Sequence, residues 1–196
     1  MSEERSVEYV TNLALSMSMV VTLAFVAAAL YQMLAGRVVV DTELVRKTEE
    51  GKAFSASKRL ELPAGGTIEV LFRNDSGKTM KLVAIEVVTE QNIDIDVLEG
   101  VAVESSGNAW TIRNLNLGSG YVPDGVVIED GGTYSGGSVV HQTIGYGGAK
   151  NFAVGSLSEV GEQVLVPSGK NILIRIANPS STNSFKVSVR FLFYEP

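Results

Sequence analysis

The chain has 196 residues, a formal net charge of −6 and no cysteine. That length suits one domain with a sizeable core, and the missing cysteines exclude disulfides, thiolate metal sites and a cysteine nucleophile. An acidic balance with no basic block argues against a nucleic-acid partner.

Residues 9–36, YVTNLALSMSMVVTLAFVAAALYQMLAG, carry no charge. Their apolar side chains fall on every side of a helical wheel. This predicts a long hydrophobic α-helix of roughly 42 Å at ~1.5 Å per residue, enough to cross a ~30 Å hydrocarbon core. A lipid bilayer or the helices of neighbouring subunits must bury it, as a transmembrane or assembly-core element over residues 1–36. Ala14, Ser18 and Thr22, and likewise Ala24 and Ala28, recur at four-residue spacing and predict helix-packing ridges. The plainer alternative is that small residues are common in any membrane helix. The preceding MSEERSVE is acidic where a secretory signal is basic, so the segment is expected to be retained.

Residues 37–51, RVVVDTELVRKTEEG, read as a charged neck that continues the helix briefly and breaks at Gly51. From Lys52 the hydrophobic period changes to two. Ile68, Val70 and Phe72 alternate with Glu69 and Arg73; Val83, Ile85 and Val87 share a face; Ile93, Ile95 and Val97 oppose Asp94, Asp96 and Leu98. Ile172, Ile174 and Ile176 repeat the pattern, as do Phe185, Val187, Val189, Phe191 and Phe193. With KAFSASKRLEL, AWTIRNL, GVVIE and EQVLVP as further short strands between turns, residues 52–196 are expected to form one β-sandwich or jelly-roll domain. The fold class is then mainly β, with a long amino-terminal helix.

Residues 115–150 are glycine-rich and predict long loops or edge strands with little core. Tyr121, Tyr134 and Tyr146 sit among those glycines and are candidate subunit or receptor contacts, because tyrosine offers large area at low entropic cost. The alternative is that they lie back on the sandwich.

Chemistry is sparse. The single histidine, His141, has no partner at metal-ligand spacing and is expected to be buried or at a subunit contact. Asp94, Asp96 and Glu99, and Asp124, Glu129 and Asp130, lack the regular spacing of a calcium loop and read as solvated faces. No GxSxG, Walker or dinucleotide pattern occurs. No catalytic residue, cofactor or metal is expected.

The carboxy-terminal VLVPSGKNILIRIANPSSTNSFKVSVRFLFYEP, together with EEGKAF, GTIEVLFRN, LEG followed by the NLN of residues 114–116, and GGTYSGG, resembles a group of virion structural proteins. These are capsid-decoration or fibre-like proteins of tailed phages and archaeal viruses, with β-sandwich or jelly-roll domains. The resemblance covers residues 50–196. It implies a non-enzymatic homo-oligomer at a virion surface or membrane, in contact with other virion proteins. The uncharged helix departs from the soluble members of that group and points to a membrane-containing virion or a filament. Two alternatives remain open. One is an extracellular filament subunit similar to archaeal type IV pilins, against which the basic leader and glycine-type processing site are missing before Val7. The other is a membrane-tethered adhesion module, for which the tyrosine-rich loops speak.

Overall fold

The computed structural model describes residues 43–145, 153–156 and 164–196. Within the unit Leu44–Pro196 the alternating segments become strands. A short helix, α1 (residues 43–49), precedes β1 (Ala53–Leu62), β2 (Thr67–Asn74), β3 (Met80–Thr89) and β4 (Ile93–Ser105). Three short strands follow, β5 (Asn108–Ala109), β6 (Arg113–Asn114) and β7 (Val126–Asp130). The chain continues through β8 (Thr133–Gly145), β9 (Ala153–Ser156) and β10 (Val164–Val166) to β11 (Lys170–Ala177) and β12 (Phe185–Tyr194).

The helical part of the expected fold class is corrected. Among the described residues the only helix is α1, which is short and charged, and none is long and apolar enough to cross a membrane. Residues 9–36, with Ala14, Ser18, Thr22, Ala24 and Ala28, lie outside the described residues. Gly51 follows α1, and its φ of 70° suits a glycine after a helix. From residue 44 onward the charged neck belongs to the sandwich unit. Asn114 Nδ2 donates to Gly51 O at 2.7 Å, Asn116 Nδ2 to Glu49 O at 3.2 Å, and the Glu195 amide to Lys52 O at 3.0 Å.

The strands form two antiparallel sheets. One runs β10-β3-β12-β1-β6, with β9 also pairing β3; the other runs β5-β7-β2-β11-β4-β8. Between them lies the main core, in which Val70, Phe72, Ile93, Ile95, Val97, Ile172, Ile174 and Ile176 meet Val187, Val189, Phe191 and Phe193. The inward phase expected for β2, β4, β11 and β12 is therefore present. That of β3 is half shifted: the β12 register slips between Leu192 and Phe193, so Leu82 and Ala84 oppose successive β12 residues and Val83 is a bulge. Met80 and Leu82, then Ile85 and Val87, face the core.

A second core lies on the outer face of the β2-β11-β4 sheet. Leu71, Leu173 and Leu98 form one register row across three strands. Their cover comes from the same sheet curling back on itself. Beyond Glu99, the last β4 residue paired with β11, β4 runs on to Ser105 and leads into β5, which pairs with β7 on the far side of β2. The bend falls at Gly100, Gly136 and Gly137, with φ of 67°, 67° and 87°. Asn171 ties it down, accepting from the Val101 amide at 3.0 Å and donating to Val101 O at 2.9 Å.

Candidate functional site

Tyr134, at the start of β8, is carried by that bend over the leucine row. It is 9% exposed and packs with Leu71, Leu98, Val101 and Leu173. Its hydroxyl donates to Glu129 Oε1 at 3.3 Å, and Glu129, in register with Leu71 on β7, is 2% exposed. Burial, and then the charge of Glu129, push the Tyr134 phenol well above the ordinary tyrosine value. Tyr134 thus lies back on the sandwich as part of a core.

Tyr121 behaves differently. It is 42% exposed, its ring centroid lies 5.8 Å from that of Phe54, and its hydroxyl donates to Glu195 Oε2 at 3.0 Å. Lys78 Nζ donates to the other oxygen of Glu195. Burial by itself raises the Glu195 carboxyl, but the Lys78 and Tyr121 hydrogen bonds outweigh it and hold that group below the usual carboxylate range. Burial also raises the Tyr121 phenol, helped by Glu195. Tyr146 lies outside the described residues.

Two of the acidic expectations change. Asp94, Glu99 and Asp124 are solvated, and half-buried Asp96 accepts from Gln142 Nε2 at 2.8 Å. Glu129, however, is buried under Tyr134. Asp130 reaches across the sandwich to accept from Lys58 Nζ on β1 and from Trp110 Nε1. Both changes follow from the inserted strand β7, which the short GVVIE segment does not locate in space. Among the described residues no three His, Asp or Glu side chains gather to hold a metal.

Two clefts open on the sandwich unit. A cleft of about 600 Å³ at the β1, β2 and β7 margin holds Glu69 and Asp130, which pair with Arg175 and Lys58. Another of about 540 Å³ lies beside the bend, where Gly137 and Ser138 face Val164, Leu165 and Ile172.

Among the described residues β8 presents an unusual surface. It closes the β5-β7-β2-β11-β4-β8 order, so among the described residues one long side of it pairs with no strand, although β8 also approaches β9 of the other sheet. From Thr133 to Gly145 it carries no charged residue. Val139, Val140 and Ile144 are 50%, 53% and 52% exposed. Val139 opposes Leu98 and His141 opposes Val97, which leaves Val140 as a bulge. His141 is exposed within the chain, so of the two expectations, buried or at a subunit contact, the first does not hold. Nearby on the other sheet, β10 exposes Val164 and Leu165. The opposite margin differs, because β6 covers only Phe54 and Ser55 of β1 and the uncovered stretch bears Lys58, Arg59 and Glu61.

No protein-family model matches this chain, and no curated protein or solved structure matches it either.

Proposed function

We propose that the chain is a non-enzymatic, self-assembling structural protein, a capsid or surface component of a virion. The observation that carries this reading is strand order. Apart from the steps from β4 to β8 and from β9 to β10, the strands of the frame alternate between the sheets, with β1, β12, β3 and the β9/β10 pair in one and β2, β11, β4 and β8 in the other. That order supports a jelly-roll reading, an architecture found in many viral capsid domains. Lectins and cupins share it, so fold alone does not decide function. What favours assembly here is the uncharged, apolar margin at β8 and β10, together with a sequence that carries no charge over residues 9–36. In the cleft at the β1, β2 and β7 margin, Glu69 and Asp130 are held in ion pairs with Arg175 and Lys58, which favours a structural role for them.

Electron microscopy of the full chain, purified in detergent and then freed of it, tests the reading. Closed shells, sheets or membrane-bound lattices are the expected result. Fibres would replace the virion reading with the filament one. A monodisperse monomer in detergent-free buffer would overturn both.

A further inference from the structure

We infer that β8 is the strand through which two copies of this chain pair, edge to edge and antiparallel, about a two-fold axis. The inference rests on the self-assembly reading and names the surface that performs it.

The first ground is the backbone. A terminal strand presents a row of N–H and C=O groups that only another extended chain satisfies in full, and natural sheets usually guard such rows with lysine, proline or a very short strand. β8 has thirteen residues and neither guard. Among the described residues its edge is interrupted by the bend at Gly136 and Gly137 and by the bulge at Val140, which leave His141–Gly145 in regular register with Val97–Ile93 on the inner side.

The second ground is charge. In a chain of net charge −6, two copies repel wherever carboxylates face each other. The uncharged β8 is a margin where they can meet without that cost, whereas Arg59 and Glu61 guard the uncovered part of β1. In an isologous pair each group meets the same surface on its mate, so a strand without charge is matched to itself. Val139, Val140 and Ile144 would then leave water together, while a charged partner would gain nothing from them. Such a pair joins two six-stranded sheets into one continuous sheet. A single strand pair buries less than the ~1,200–2,000 Å² of a standard interface, so this link works in combination with other contacts of an assembly.

The absence of cysteine makes the test clean, because each single-cysteine variant of the full chain carries one thiol. Val140→Cys and Gln142→Cys place it on β8, and Arg59→Cys on the charged margin. On mild oxidation the better β8 position should give at least tenfold more covalent dimer than Arg59→Cys. Adding Val140→Lys to the Gln142→Cys chain should cut its dimer at least tenfold without moving the melting temperature, since Val140 is exposed and bulged. If Val140→Lys lowers the melting temperature, Ile144→Glu replaces it with the same expectation. Yields within twofold of each other at β8 and Arg59, or a yield unmoved by the added charge, overturn the inference. Assemblies that persist without any β8 link sink this inference alone, whereas a chain that never assembles sinks the proposed function as well.

Discussion

Tyr134 and Glu129 form a polar pair inside an otherwise apolar pocket, so the hydroxyl is costly to lose. Tyr134→Phe keeps the ring but withdraws a donor from a buried carboxylate, which should destabilise by about 1–3 kcal/mol in denaturant unfolding. The phenol also sets an alkaline limit. Because its folded-state value is raised, the stability it contributes is complete below the unfolded value of about 10 and is lost as pH climbs toward the higher folded one. Wild type should therefore lose stability above pH ~10 more steeply than Tyr134→Phe, and equal slopes would refute the assignment. Glu195 supplies the opposite limb. Its value is depressed in the folded state, so its contribution is present above the unfolded value of about 4 and lost as pH falls through the lower folded one. Glu195→Gln should flatten the acid side of the stability profile, measured by thermal melts between pH 2 and 6.

At the scale of elements, the curled sheet makes its own predictions. Leu173 is fully buried at the centre of the leucine row, so Leu173→Ala should cost about 2–5 kcal/mol although it lies on the face away from the main core. Gly137→Ala meets Val101 Cγ1 at 2.6 Å with φ at 87°, whereas Gly100→Ala has φ at 67° but open space around it. The first should be destabilising by at least about 1 kcal/mol more than the second in the same unfolding assay. The sequence made the inward rows of β2, β4, β11 and β12 legible, because alternation survives wherever pairing is regular. It misplaced Val83, since a bulge reverses parity without leaving a mark in composition. Leu71, Leu98 and Leu173 occupy the phase otherwise held by charged residues, and a period-two reading has no room for a core on that side. Tyr134 was legible as a large residue among glycines. That those glycines bend two paired strands back over the sheet is a property of pairing, which a linear pattern does not carry. For the same reason β8 could be read as uncharged and glycine-rich, but its place at the margin could not.

For the molecule as a whole, the two central strands come from the same late stretch. β11 lies between β2 and β4, and β12 lies between β1 and β3. Removing residues 185–194 should abolish cooperative folding altogether, and a truncated chain that keeps native-like near-ultraviolet circular dichroism would contradict this topology. The same arrangement governs how the protein is made. At ~5–20 residues per second, a ribosome needs roughly 4–18 s to go from residue 105, where β4 is finished, to residue 194. Through that interval the nascent polypeptide holds four apolar strands, β1 to β4, with no central mate. Its yield in a cell is then set by how well chaperones shelter it until translation has delivered the strand that each sheet is waiting for.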